Sequence, residues 1–171
     1  MKVLFAFFSL EGSCRELSRY MAEAVGGETA ELVPATGAPP RGTVMKYLAG
    51  GLSSIKQDTI ELRPLAVEPR EYDLVIVGGP VWAWRMTPAV RSFLSGRDWA
   101  GMKTAVFSMY RGAAGSVCDA MAKIIEEKGG EVLGTGRFVD LHLRRSDVNK
   151  TRRDAVAWVA DMMAKVGPGA V

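Results

Sequence analysis

At 171 residues, 48% of them hydrophobic and 24% charged, the chain has the size and balance of one globular domain spanning residues 1–171, and a disordered chain is excluded. Its net charge is only +3 with a pI near 9.0. Lysine and arginine are scattered except at Arg144–Arg145 and Lys150–Arg153, where no aromatic residues interleave, so these charges read as solvated and argue against nucleic-acid binding. No run approaches the ~20 apolar residues of a membrane helix, and Cys14 and Cys118 show neither a metal spacing nor a disulfide framework. The apolar start breaks at Glu11 without a small-residue cleavage pattern, so it is not a signal peptide and the expected location is cytoplasmic.

In chain order, Lys2–Phe8 is too densely apolar for a strand with one wet face and predicts a central strand of a parallel sheet. The polar loop Ser9–Cys14 follows, and then Leu17, Tyr20, Met21 and Ala24 mark one face of a helix. Glu31–Val33 predicts a short second strand. The long connection from Pro34 to Pro69, with a weak helix around Val44–Leu48, is expected to lie over one face of the sheet. Tyr72–Gly79 is the clearest buried strand, ended by glycines, with a helix beginning at Pro88. Lys103–Ser108 predicts a fourth strand and Ser116–Lys128 a helix. Glu131–Leu133 with Phe138–Val139 predicts a fifth strand, and Val148–Val166 a last helix ended by Gly167–Gly169. Five strands alternating with helices, without repeats, predict an α/β fold: one parallel sheet covered on both faces.

Ligands of such sheets sit beyond the carboxyl ends of the strands. Three loops there carry residues that a core would not select. Ser9–Cys14 is small and hydroxyl-rich, and its free N–H groups open a helix whose dipole favours an anion, which makes it a phosphate seat. Gly79–Thr87 places Trp82 and Trp84 in a connection, where bare indoles call for a flat cover. Ser108–Gly115 adds Tyr110 and a glycine-rich backbone that permits close approach. Together these loops suit a flat, phosphorylated heterocycle. Three other phosphate-handling schemes fit less well. The segment from Ser9 to Arg15 has the Cys-x5-Arg spacing of low-molecular-weight phosphatases, but a serine replaces the nucleophile and no base is in view. A receiver domain would need an aspartate where Gly78–Gly79 stand, and the dinucleotide fingerprint is absent after the first strand.

Over nearly its whole length the chain resembles the flavodoxin-like flavoproteins. Ser9–Leu10–Glu11–Gly12–Ser13–Cys14 is similar to that family's phosphate loop, Ser-x-Thr-Gly-Asn-Thr. Tyr72 to Trp82 followed by Pro88–Leu94 resembles its third strand, flavin loop and helix. The resemblance implies a doubly wound sheet of order 2-1-3-4-5 and flavin mononucleotide (FMN) as cofactor. It implies that Ser9, Leu10, Glu11, Gly12, Ser13 and Cys14 surround the phosphate and that Trp82 and Tyr110 flank the ring. Backbone groups of Pro80, Val81, Trp82 and Ala83 and of Ser108, Met109, Tyr110, Arg111 and Gly112 would meet its polar edge, with Trp84 beside the ring or packed under the long connection.

Glu11 and Cys14 depart from the family's threonines. The Glu11 side chain is expected to turn aside and bond loop N–H groups, Cys14 to be a poorer donor that stays unreactive, and Arg15 to offset the loss. Arg111 either supports a reduced flavin or is a solvated loop arginine, and His142 has no partner visible in sequence. The implied function is electron transfer through FMN. The alternatives are an NAD(P)H-dependent reductase of a quinone or other small acceptor, and a flavin-free binding module. A redox partner protein or small-molecule acceptor is implied. The basic charge argues against the simplest acidic carrier, and a homodimer is compatible.

Overall fold

The computed structural model describes residues 1–36, 59–144 and 146–167. Its elements in chain order are β1 (Val3–Phe7), α1 (Ser13–Val25), β2 (Glu28–Glu31), a single 3₁₀ turn (Pro69–Glu71), β3 (Leu74–Trp82), β4 (Arg85–Met86), α2 (Pro88–Ser95), β5 (Lys103–Tyr110), α3 (Val117–Glu127), β6 (Glu131–Val139) and α4 (Val148–Val166). The sheet runs β2-β1-β3-β5-β6 with every neighbour parallel, and the two-residue β4 pairs antiparallel with the end of β3. With β4 set aside as a hairpin, this is the expected 2-1-3-4-5 order.

Strand alternation divides the core in two. Val3, Phe5 and Phe7 of β1 face α1 and α4, meeting Leu17, Met21, Ala155 and Val159. Leu4, Ala6 and Phe8 face α2 and α3, meeting Val90, Phe93, Met121 and Ile125. All five residues of β1 are buried, because helices cover both faces of the sheet. The helix ends follow local chemistry. Gly26 closes α1 in the left-handed conformation, the Thr87 hydroxyl accepts from the Val90 N–H with Pro88 in the first turn of α2, and the Asp147 carboxylate caps α4 at the Lys150 N–H, 2.8 Å away. Among the described residues no helix is long and apolar enough to cross a membrane.

Four sequence boundaries move, one of them at the fourth strand, which runs on past Ser108 to Tyr110. The second strand is Glu28–Glu31 rather than Glu31–Val33. It lies on the sheet edge, bonded to β1 alone, so it needs no apolar run, and the buried Leu32 instead follows it, its N–H donating to the Phe7 carbonyl at 2.7 Å. Gly78 and Gly79 do not end β3. They let it pass beneath the Phe107 ring and the Val90 side chain, against which an added Cβ would collide. The fifth strand is one continuous element, Glu131–Val139, with a register irregularity opposite Ala105. Such a bulge breaks the period-two pattern and made one strand read as two pieces. The described part of the long connection packs Ile60, Leu62, Leu65 and Val67 on the α2/α3 side of the core, whereas Val44–Leu48 lies outside the described residues.

Candidate functional site

Strand order reverses between β1 and β3, and at their carboxyl ends lies a cleft of about 180 Å³. Its floor and walls come from four segments. From the first loop, Ser9, Leu10, Glu11, Ser13 and Cys14 line it, from β3 Pro80, Val81 and Trp82, from β5 Met109 and Arg111, and from the end of β6 Asp140. Trp82 is held by an edge-on contact with Phe8, ring centroids 5.8 Å apart at 81°. Leu10, Val81, Trp82 and Met109 make an apolar slot whose far end is the opening of α1.

That end is built by Gly12. Its φ of +97° starts the helix from a left-handed residue, and its carbonyl accepts the first helical bond, from the Glu16 N–H at 2.9 Å. The amides of Ser13, Cys14 and Arg15 therefore precede any intrahelical acceptor. The Ser9 hydroxyl accepts from the Gly12 N–H at 3.2 Å and holds the loop closed. The Ser13 hydroxyl accepts from the Leu141 N–H at 3.0 Å and reaches Met109 Sδ at 3.8 Å, tying the first loop to β5 and to the end of β6.

Several side chains depart from the sequence expectation. Glu11 does turn aside, but to the Arg111 guanidinium rather than to loop N–H groups, because Arg111 reaches across from β5. Arg111 Nε also donates to Asp140 Oδ2 at 2.8 Å, so one half-exposed cation is shared by two carboxylates. Burial pushes the Asp140 carboxyl up, but the bonds from Arg111 and from the His142 N–H outweigh it and hold Asp140 below the usual carboxylate range. Arg15 makes a two-pronged pair with Glu31, at 2.7 and 2.6 Å, while its Nη1 stays close to Gly12. Burial, with Asp140 and Glu31 adding to it, pushes the Cys14 thiol well above its ordinary range, so it stays protonated and inert. His142 has a partner after all: its Nε2 lies 3.2 Å from Glu16 Oε2, and Glu16 also binds Arg152 at 2.6 Å.

The remaining expected residues scatter. Met109 faces α1, so its neighbour in the extended strand cannot: Tyr110 instead lines a separate depression with Arg137, Asp147 and Thr151. Gly12 borders a shallow groove with Glu16, Arg19 and Arg152. Ser108 is fully buried and accepts from the Cys118 thiol at 3.2 Å, while around Gly112 there is open space. Ala83 and Trp84 form the tip of the β3–β4 hairpin, both with positive φ (45° and 61°), a conformation favoured by glycine and asparagine. Trp84 is 71% exposed and stands beside Gly115. Sequence reasoning missed Asp140. The available signal was its place directly after Val139, an acidic residue on the same carboxyl edge as the three loops.

The flavodoxin family model matches residues 2–155. No curated protein is significantly similar in sequence. Among solved structures, a Bacteroides uniformis protein provisionally described as a flavoprotein superposes with a TM-score of 0.74 at 19% identity, covering 93% of this chain and 97% of that one. A Lactobacillus acidophilus flavoprotein in complex with FMN gives 0.62 at 18% identity (88% and 97% covered), and oxidised flavodoxin 1 from Bacillus cereus 0.62 at 17% (96% and 98%). At these identities the structures speak to the fold, and the family match extends over most of the sequence: the chain belongs to the flavodoxin family.

Proposed function

We propose that this chain is a single-domain, cytoplasmic, FMN-binding redox protein that passes electrons between a donor and an acceptor. The observation that carries the reading is the cleft at the β1/β3 reversal, where an apolar slot with Trp82 on one wall ends at the unbonded amides of α1. The residues present fit FMN. Ser9, Gly12, Ser13 and Cys14 would hold the phosphate: the Ser9 hydroxyl, which accepts from the Gly12 N–H, keeps its own proton to donate, the Ser13 and Cys14 amides would donate from the opening of α1, Gly12 would shape the turn, and the Cys14 thiol is a weak donor. Trp82 and Met109 would lie against the ring, with backbone groups of Pro80–Ala83 and Ser108–Gly112 at its polar edge, and Tyr110 enters through its backbone alone.

Bound FMN would supply the electron-accepting and electron-donating chemistry. The protein's part is positional: Phe8 holds Trp82 upright, the tie through Ser13 keeps the first loop against β5, and Arg111 between Glu11 and Asp140 places fixed charge beside the slot. The net charge of +3 suits an acidic partner. A second reading, an NAD(P)H-dependent reductase of a quinone or other small acceptor, is supported by exposed Trp84 at the tip of the hairpin that carries Trp82, a flat surface on which an incoming aromatic ring could stack. The test is an absorption spectrum after FMN loading and desalting. Stoichiometric retained flavin supports the proposal, and oxidation of reduced nicotinamide by a quinone then separates reductase from carrier. Folded protein retaining no flavin overturns it in favour of a binding module.

A further inference from the structure

The phosphate end of the cleft is poorly balanced for a dianion. Arg15, Arg152 and Arg111 stand near the start of α1, and each already has a carboxylate: Arg15 has Glu31, Arg152 has Glu16, and Arg111 has both Glu11 and Asp140, while Arg19 lies further along the helix on the groove that Gly12 borders. The Glu11–Arg111–Asp140 trio thus carries a net charge of −1. Asp140 is built into the structure, its side chain 12% exposed and bonded to the His142 N–H as well as to Arg111. Glu11 is different. Its side chain is about half exposed, it belongs to the loop that would wrap the phosphate, and its described partner is the half-exposed Arg111, 100 residues away in sequence.

We infer that Glu11 is a specificity-determining residue: its carboxylate competes with a ligand phosphate for Arg111 and opposes the dianion, so the cleft takes its flavin chiefly by the ring and gains little from the phosphate. This rests on the flavin reading and adds to it the charge the site selects. The cation that a phosphate would otherwise recruit is held by an internal carboxylate, which leaves the helix amides and the Ser9 hydroxyl to offset most of the repulsion. Neutralising Glu11 leaves Arg111 with a single carboxylate and frees its Nη2 for the ligand. Neutralising Arg111 leaves two carboxylates unscreened beside the same position.

The experiment is a fluorescence titration of the full chain with FMN and, separately, with riboflavin, which has the same ring but no phosphate. It is run on the unaltered protein, Glu11→Gln, Glu11→Thr and Arg111→Gln, each first shown by thermal melting to be folded. Both Glu11 variants are expected to tighten FMN about fivefold, the scale of one like-charge contact about 4 Å away in a largely solvated setting, while riboflavin changes by less than about twofold. Arg111→Gln is expected to weaken FMN by a similar factor and again to spare riboflavin. Equal shifts for the two flavins, no shift, or weaker FMN binding by the Glu11 variants would overturn the inference while leaving the flavin reading intact. Failure of either flavin to bind any of the four proteins would overturn the flavin reading, and this inference with it.

Discussion

The substitution that most directly probes how the sheet presents the cleft is Gly78→Ala. A Cβ built on Gly78 lands on the edge of the Phe107 ring, with Cδ1 2.5 Å away and two further ring atoms nearer still. Ordinary carbon contacts lie at about 3.5–4.0 Å, so the ring would have to retreat by an ångström or more. It has little room to do so. Phe107 is fully buried, and the Phe138 and Trp158 rings stand 6.1 and 6.4 Å from its centroid. Overpacking of this kind costs about 1–3 kcal/mol, and the crowding here points to the upper end. The lower unfolded-state entropy of alanine returns about 0.4–1 kcal/mol. A net loss of about 2 kcal/mol corresponds, for a chain of this size, to a fall in Tm of roughly 4–8 °C. Circular dichroism melts would measure it, and a Tm within about 1 °C of the parent would refute the steric argument. A double-mutant cycle with Phe107→Leu sharpens the test, because a smaller side chain should relieve the clash and give a favourable coupling of about 1 kcal/mol or more; strict additivity would show that the two sites do not collide. Residues 108 and 109 follow Phe107 on β5, so the same variant should also weaken flavin binding.

Other outcomes follow from single contacts. At Gly12 the space would admit a Cβ, its nearest neighbour being His142 Cε1 at 3.6 Å, but φ is +97°: Gly12→Ala should cost about 1 kcal/mol of stability and keep FMN, whereas Gly12→Asp should weaken FMN much more than riboflavin, and unchanged FMN affinity in a titration would move the phosphate elsewhere. Trp82→Ala should weaken flavin binding and alter fluorescence quenching, while Trp84→Ala should leave flavin affinity near the parent value and change acceptor kinetics; equal, negligible effects of both on the titration would refute the assignment. Asp140 is held below its usual range, so the unfolded chain binds more protons in acid. Its stabilisation is therefore complete above the ordinary aspartate value of about 3.9 and drains away as pH falls below it. Asp140→Asn should flatten that acid limb of the Tm–pH curve, and an unchanged limb would refute the pairing.

Local signals carried the fold where burial was two-sided. β1 is apolar throughout, and β3 and β5 have apolar centres, Leu74–Val77 and Ala105–Phe107, because helices cover both faces. They failed where burial was one-sided or interrupted: at the edge strand β2, where Glu28 and Thr29 are exposed, and at β6, where a bulge and two glycines broke the pattern. In the cleft, Ser9, Leu10, Glu11, Ser13, Cys14, Pro80, Val81, Trp82, Met109 and Arg111 were legible from loop position, because strand ends on one edge must converge. Their partners were not, since which carboxylate a long arginine reaches depends on elements distant in sequence. Glu11 to Arg111 spans 100 residues, and His142 to Glu16 spans 126.

By itself the sequence determined the architecture, the carboxyl-edge location of the cleft and the kind of ligand it suits, because hydrophobic period, helix openings and exposed indoles are written in neighbouring residues. Only the tertiary structure decided the charges and the walls. It placed Met109 rather than Tyr110 on the slot, turned Arg15 to Glu31, silenced Cys14 by burial, and set Arg111 between Glu11 and Asp140. The physical reason is range. Backbone propensity and side-chain period act within a few residues, whereas ion pairing, desolvation and strand facing are settled by whatever the completed sheet brings alongside.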